Sequence, residues 1–213
     1  MAGLVITIAQ RKGGAGKTTL AAQLATVWLR RGARVALLDI DPQASLAAWV
    51  ELRRARLGAE NVGFDFAALP GWRAAQWIED RARGAEFVVV DGPPHAEVEA
   101  RIAVRAAGLV LVPVQPSPLD LWATEATLAM AREERRSAVV VLNRVPPRSS
   151  LTDRVAADLA AAGAAIAATR IGNRVALVRA MASGLGVVES PGADSAAAEI
   201  TALAEEIRAT ASG

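Results

Sequence analysis

The stretch "AQRKGGAGKTTLAAQLA", residues 9–25, contains the only two lysines of the chain, Lys12 and Lys17, among 24 lysines and arginines in all. It follows the apolar run "LVITIA" and leads into an amphipathic segment whose apolar stripe comprises Leu20, Leu24, Val27 and Trp28. A glycine-rich loop between a strand and a helix is where a phosphate-binding loop lies. Its glycines let backbone N–H groups turn toward an anion, and the helix N-terminus adds about half a positive charge. The stretch therefore predicts a phosphate site.

The individual residues of this loop fit nucleotide chemistry. Lys17 would contact the β- and γ-phosphates of a nucleotide, and the Thr18 hydroxyl would ligate Mg²⁺. The strict pattern G-x-x-x-x-G-K-[ST] requires a glycine where this chain has Arg11, so the loop departs from the standard form at its start. The candidate nucleotide-binding residues are Gly13, Gly14, Ala15, Gly16, Lys17, Thr18 and Thr19.

Length and composition favour one intracellular globular domain spanning residues 1–213. A chain of 213 residues with 53% hydrophobic content can bury a full core. The net charge of +2 does not by itself indicate a nucleic-acid partner. The absence of cysteine excludes disulfides, thiolate zinc sites and iron–sulfur clusters, and it suits a reducing cytosol. There is no basic leader and no apolar run of about 20 residues, so we expect a cytoplasmic protein that does not use the membrane.

Short apolar runs alternate with amphipathic segments along the chain. Several runs are apolar on both faces, as the buried strands of a parallel sheet are. Strands and helices in alternation predict an α/β fold, a mostly parallel twisted sheet flanked by helices. The predicted strands are "LVITIA", "RVALLDI", "VGFDF", "EFVVVD", "GLVLVPV" and "SAVVVLN", and Ala-rich helices follow residue 150.

Polar side chains stand at the ends of three of these strands. Asp39 and Asp41, two residues apart, are predicted to share one side of the second strand. Asp91 ends the run "EFVVVD", and Asn143 ends "SAVVVLN". For Asp91 the alternative to a functional role is a purely structural carboxylate at a strand end. For Asn143 the alternative is an ordinary turn asparagine.

The motif "KGGAGKTT" resembles the deviant Walker A motif of the ParA/MinD family of ATPases, whose mark is a lysine at the position of Lys12. Further motifs are similar to that family in the same order: "LLDIDPQASL", "EFVVVDGPP", the proline-rich "VLVPVQPSPLDLWA" and "VVVLNRVPP". The resemblance covers almost the whole chain and implies a P-loop NTPase of the SIMIBI class that binds ATP and Mg²⁺.

The resemblance also implies roles for single residues. In that family two subunits enclose two nucleotides, and the signature lysine, here Lys12, contacts the phosphates bound by the partner of the homodimer. A solvated loop lysine is the alternative. The implied catalytic residues are Lys12, Lys17 and Asp41, and Asp41 would position the attacking water. The implied metal ligands are Thr18, Asp39 and Asp91. Asn143 would recognise adenine, since one amide group both donates and accepts a hydrogen bond.

The resemblance to ParA implies a slow ATPase switch. No arginine finger can be identified from the sequence, so we expect slow basal hydrolysis that a ParB-like or other adaptor protein accelerates. ParA-type members bind DNA without sequence preference, and the candidate contacts here are Arg170, Arg174 and Arg179. An ordinary solvated helix face is the alternative for these arginines. The resemblance thus implies a nucleoid-associated ATPase that partitions or positions a cargo.

Other functions of related proteins are distinguished by what they require. A MinD-type membrane cycle needs a basic, bulky amphipathic C-terminal helix, which "AEEIRATASG" does not offer. A tyrosine autokinase needs tyrosine, and the chain has none. A dethiobiotin-synthetase-like metabolic enzyme, or a MinD-like positioning ATPase that does not use DNA, remains open. His95, the single histidine, is predicted to have a surface or switch-loop role.

Overall fold

A computed structural model describes residues 2–94 and 97–212. The strands form one seven-stranded sheet in the order β3-β2-β4-β1-β5-β6-β7, and every pairing between neighbours is parallel. This arrangement confirms the predicted α/β fold class. The strands are β1 (Leu4–Ile8), β2 (Val35–Asp39), β3 (Asp65–Ala68), β4 (Phe87–Asp91), β5 (Leu109–Val114), β6 (Ala138–Leu142) and β7 (Ala165–Ile166).

Helices cover both faces of the sheet. They are α1 (Lys17–Arg30), α2 (Ser45–Leu57), α3 (Ala74–Ala82), α4 (Glu97–Ala106), α5 (Pro118–Glu133), α6 (Ser150–Ala161), α7 (Val175–Ala182) and α8 (Asp194–Ser212). Helices α1, α2, α7 and α8 pack on one face, and α3 to α6 pack on the other. Within the described ranges, no helix combines the length and the apolar character needed to cross a bilayer.

The central strands are buried on both sides, which explains their continuous apolar sequences. In β1, Ile6 and Ile8 pack into the cluster under α1 and α8, whereas Val5 packs into the cluster under α3 and α4. Alternate side chains of a strand point to opposite faces, so a strand covered on both faces needs apolar residues at successive positions. Trp28 of α1 is buried against the sheet and stacks on Phe87 at 4.2 Å.

The third strand differs from its prediction. The run "VGFDF", residues 62–66, was expected to form it, but β3 spans Asp65–Ala68. Gly63 adopts a φ of +87°, and Val62 has helical dihedral angles, so the chain is still turning where the strand was predicted to begin. Hydrophobicity alone does not reveal such a turn, because Val62 is buried although it is not in a strand.

Parallel pairing brings the functional loops to one edge of the sheet. Ile8, the last residue of β1, is in register with Asp91, and Asp39 of β2 is also in register with Asp91. The loops that follow β1, β2 and β4 therefore emerge together at the carboxyl edge, where open α/β sheets bind ligands. His95 lies outside the described residues.

Candidate nucleotide-binding site

The loop between β1 and α1 depends on glycine at two positions with left-handed backbone. Gly14 has a φ of +77° and Gly16 a φ of +98°. A Cβ atom at Gly16 would lie 2.3 Å from Nδ2 of Asn143, so a side chain is excluded there by contact as well as by conformation. Helix α1 begins directly after Gly16 without a side-chain cap among the described residues, so the N–H groups of its first turn are available to an anion.

Lys17, the first residue of α1, is a buried cation at the end of this loop, with only 6% of its surface exposed. Burial lowers the pKa of its ammonium group, while the charges of Asp91 and Asp41 act in the opposite direction. A desolvated ammonium at a helix N-terminus gains stability when an anion binds next to it. The local structure therefore favours a phosphate ligand at Lys17.

Asp91 ends β4 beneath the loop and contacts Thr18. The Thr18 hydroxyl donates a hydrogen bond of 2.6 Å to Oδ2 of Asp91, and Oδ1 is buried without a partner among the described residues. Burial raises the pKa of Asp91 to about 7, with Asp39 and Asp41 adding to the rise and Thr18 and Lys17 opposing it. Asp91 thus carries an electrostatic cost that a bound cation would relieve.

The magnesium prediction fits the chemistry of these two residues. Mg²⁺ prefers hard oxygen ligands and is held in nucleotide sites by one or two protein oxygens together with phosphates and water. Asp91 supplies a carboxylate with one unpartnered oxygen, and Thr18 supplies a hydroxyl beside it. In the described ranges no group of three or more His, Cys, Asp or Glu side chains is placed to hold a metal ion by itself. A metal that is bound together with phosphate agrees with both observations.

Asp39, the third predicted metal residue, is occupied by the backbone. Its Oδ1 accepts from the N–H of Asp41 at 3.0 Å, and its Oδ2 accepts from the N–H of Ala47 at 2.9 Å. Burial raises its pKa, although these backbone hydrogen bonds oppose the rise. In this conformation Asp39 fixes the start of α2 and the loop that carries Asp41.

Asp41 lies in a loop, and the predicted strand geometry for it is wrong. Strand β2 ends at Asp39, so Asp41 is outside the strand and the two carboxylates do not share one side of it. Asp41 nevertheless lines the same cavity of about 460 Å³ as Lys17 and Thr18. Its Oδ1 accepts from the N–H of Gln43 at 2.9 Å, which leaves Oδ2 for other partners. Its position in the cavity is compatible with the water-positioning role.

Asn143 holds the phosphate loop in addition to lining a second cavity. Its Nδ2 donates to the carbonyl of Ala15 at 2.8 Å, and its Oδ1 accepts from the N–H of Arg144 at 3.0 Å. It is 3% exposed and borders a cavity of about 370 Å³ beside the loop. One amide hydrogen and one lone pair remain for a ligand. Recognition of adenine by Asn143 stays a prediction, and the clamp on the loop is an additional role that the sequence did not indicate.

The signature lysine, Lys12, forms an ion pair within its own chain. Its Nζ lies 2.7 Å from Oδ2 of Asp120, which is almost completely buried, and the lysine side chain is 36% exposed. The Ser117 hydroxyl also donates to this carboxylate. The proline-rich loop before α5 contacts the phosphate loop directly, because Gln115 donates to the carbonyl of Gly14 at 2.8 Å.

The three predicted DNA-contacting arginines have unequal surroundings. Arg170 pairs with Asp153 at 2.7 Å, and Arg174 pairs with Glu199. Arg179 is exposed on α7 with no carboxylate in ion-pairing distance among the described residues. A phosphate would have to compete with a carboxylate for the first two, whereas in the described ranges Arg179 is the one of the three without an ion-pair partner.

The sequence did not indicate a role for two residues of the site, Asp120 and Arg144. Asp120 forms the partner of Lys12, and the pattern Ser117-x-x-Asp120 at the start of a helix could have indicated a capping carboxylate there. Arg144 lines both cavities of the site. Nothing in the spacing of the sequence distinguishes Arg144 from other loop arginines.

Comparison with known proteins agrees with this geometry. Residues 6–187 match the model of the CobQ/CobB/MinD/ParA nucleotide binding domain. "Maintenance of carboxysome distribution protein A" of Halothiobacillus neapolitanus is 31% identical over 210 residues, which cover 95% of each chain.

Solved structures share the fold. The MinD cell-division ATPase of Pyrococcus furiosus superposes with a TM-score of 0.81 at 22% identity, over 98% of this chain and 99% of that one. An ATP complex of a Cyanothece McdA variant superposes with a TM-score of 0.79 at 17% identity, over 97% of this chain and 96% of that one.

Proposed function

The chain belongs to the CobQ/CobB/MinD/ParA nucleotide-binding family, and from this premise we propose that it is a slow ATPase switch that dimerises on ATP, binds DNA and positions a cargo. The observation that carries the proposal is the meeting of Lys17, Thr18 and Asp41 around one cavity, with Asp91 directly beneath. The buried ammonium group of Lys17 and the unpartnered oxygen of Asp91 call for a phosphate and a divalent cation together.

Hydrolysis would proceed by displacement at the γ-phosphate. A water oxygen bonds to the γ-phosphorus while the bond from that phosphorus to the bridging oxygen breaks, ADP leaves, and a water proton ends on the released phosphate. Lys17 would stabilise charge on the phosphate oxygens. Thr18 and Asp91 would hold a Mg²⁺ ion, which would supply further charge neutralisation. Asp41 accepts a hydrogen bond from the water and orients it. Such chemistry depends on positioning and electrostatics.

Lys12 would couple ATP to dimerisation. It is partly exposed and directly precedes Gly13, which lines the cavity, and its stem is flexible, so the ammonium can exchange Asp120 for a phosphate across a subunit interface. At about 4 Å and an effective dielectric near 20, one such charge pair amounts to roughly 4 kcal/mol before desolvation is subtracted. Because Lys12 already has a partner in the single chain, only the difference between the two ion pairs favours the dimer.

DNA binding rests on the arginines of the C-terminal part. Arg179 has no carboxylate partner among the described residues, while Arg170 and Arg174 would have to exchange carboxylates for phosphates. Three contacts per subunit make six in a dimer, for which counterion release predicts a slope of about −5 in log K against log salt. DNA contact of this kind would make the protein nucleoid-associated, with an adaptor protein stimulating ATP hydrolysis.

Two alternatives to this function are a metabolic enzyme and a positioning ATPase that does not use DNA. The family name includes CobQ and CobB as well as MinD and ParA, so membership alone does not exclude a metabolic enzyme. Lys12 favours the switch, since a metabolic enzyme would not need it. The relative from Halothiobacillus neapolitanus is named for carboxysome distribution, which favours a positioning role. The ion pairs of Arg170 and Arg174 favour a positioning ATPase that does not use DNA.

A binding experiment with random-sequence duplex DNA distinguishes these functions. Binding and oligomeric state are followed with Mg²⁺ and either ATP or ADP over a salt titration, with Lys17→Ala as the control that should bind no nucleotide. Binding only with ATP, as a dimer and steeply lost with salt, supports the full proposal. An ATP-dependent dimer that ignores DNA removes the DNA part, and a wild-type chain that binds no nucleotide refutes the ATPase.

A further inference from the structure

Two cavities adjoin along the phosphate loop. The first, of about 460 Å³, contains the loop glycines, Lys17 and Asp41; the second, of about 370 Å³, is bordered by Asn143, Leu177 and Val178. Four residues line both: Gly16, Thr19, Arg144 and Met181. Arg144 is the charged member of this set. The shared residues mark the passage between a phosphate compartment and a compartment of mixed polar and apolar walls.

The backbone of Arg144 is held firmly relative to the phosphate loop. It directly follows Asn143, and its N–H donates to Oδ1 of Asn143 at 3.0 Å. Asn143 in turn donates to the carbonyl of Ala15 within the loop. Arg144 has a φ of +52°, a conformation that L-residues other than asparagine and aspartate seldom adopt. The short path of hydrogen bonds fixes the distance from the base of this side chain to the loop.

The guanidinium group of Arg144 is not neutralised within the chain. The residue is exposed, and across residues 2–94 and 97–212 no carboxylate lies within ion-pairing distance of it. Arg174, the other arginine that borders the second cavity, is paired with Glu199. Arg144 is therefore the available cation at the passage between the cavities.

We propose that Arg144 binds the nucleotide of its own subunit at the α-phosphate. This inference rests on the proposed function, since it requires a nucleotide with its terminal phosphates at Lys17. A nucleotide so bound would place its base and sugar in the second cavity, and its α-phosphate would then lie in the passage that Arg144 borders. A guanidinium group suits this position, because its fork of donors matches phosphate oxygens.

The position of Arg144 predicts a role in binding rather than in the chemical step. The α-phosphate is common to AMP, ADP and ATP, so the contact strengthens all three complexes. Loss of one charge-assisted hydrogen bond to a phosphate corresponds to about a tenfold loss of affinity or somewhat more. An arginine that acted instead on the γ-phosphate of a partner subunit would change turnover and leave ADP affinity unaltered.

The test is a titration of the full-length chain with ADP and with a non-hydrolysable ATP analogue in the presence of Mg²⁺. For Arg144→Gln we expect Kd to rise about tenfold for both nucleotides, and Arg144→Lys should recover part of that loss. The matched control is Arg148→Gln: Arg148 is in the same loop, has a φ of +57° and lines neither cavity, so its Kd values should equal those of the wild type. Urea unfolding without nucleotide verifies that each variant is folded.

Three results would overturn the inference: wild-type ADP affinity in Arg144→Gln, an equal loss in Arg148→Gln, or a loss confined to the ATP analogue. These results are separable from a failure of the proposed function. If the wild type binds ADP and Lys17→Ala does not, the nucleotide site stands, and the Arg144 variants alone decide the inference. If the wild type binds no nucleotide, the proposed function fails first and the inference fails with it.

Discussion

Replacement of Asp91 by asparagine should stabilise the nucleotide-free protein while it removes the predicted metal ligand. Burial raises the pKa of this carboxyl from 3.8 to about 7. The neutral amide of Asp91→Asn has a similar shape and can still accept the Thr18 hydroxyl hydrogen bond. The variant therefore removes the cost of burying a charge and keeps the contact.

The sign and size of the effect follow from the two pKa values. Between pH 3.8 and about 7 the folded chain retains a proton that the unfolded chain releases, so the free energy of unfolding falls as the pH rises. The total loss is about 4 kcal/mol, from roughly three pKa units at about 1.4 kcal/mol each. Relative to wild type, Asp91→Asn should gain about 2 kcal/mol at pH 5 and about 4 kcal/mol at pH 8.

Urea unfolding at pH 5 and pH 8 without nucleotide or Mg²⁺ measures this difference. A second series with Mg²⁺ and ADP serves as a control, because ligand binding should stabilise the wild type more than Asp91→Asn. A variant no more stable than wild type at pH 8, or one with the same gain at both pH values, would refute the argument from the raised pKa.

Four further variants test other parts of the structure. Lys17→Ala should abolish nucleotide binding in a calorimetric titration, and retained ATP affinity would exclude Lys17 from the phosphate site. Asp41→Ala should lower ATP turnover by at least about a hundredfold and leave ATP affinity intact; normal turnover would remove Asp41 from catalysis. Lys12→Gln should abolish the ATP-dependent dimer or its turnover, as seen by sedimentation and phosphate release, and a normal dimer with normal turnover would contradict its role. Glu189→Gln should lower the free energy of unfolding by about 3 kcal/mol, because Arg53 loses its counter-charge. Arg53 is 1% exposed and donates to both carboxylate oxygens of Glu189. A loss below about 1 kcal/mol in urea unfolding would show that the pair contributes little.

Several features of the candidate site could be predicted because they are local in sequence. Glycines at positions of left-handed backbone, a lysine and a threonine at the start of α1, and an aspartate at the end of a buried strand all belong to short segments. Their chemistry depends on neighbours along the chain and on a sheet that the alternation of strands and helices already predicted.

The contacts between distant segments were beyond such reasoning. The partner of Lys12 is 108 residues away at Asp120, and Asn143 reaches Ala15 across 128 residues. Such contacts depend on strand order, which places β5 next to β1 and β6 next to β5, and apolar periodicity does not encode that order.

The sequence by itself determined the α/β class, the phosphate loop and the residue types available to nucleotide, metal and water. The tertiary structure alone decided which of those residues are buried, paired or free. It placed Asp39 against the backbone of α2, gave Asp91 its raised pKa, and left Arg144 without a carboxylate among the described residues. The physical reason is that desolvation and pairing are properties of surroundings that distant segments create together, whereas the loop conformation needs only its own residues.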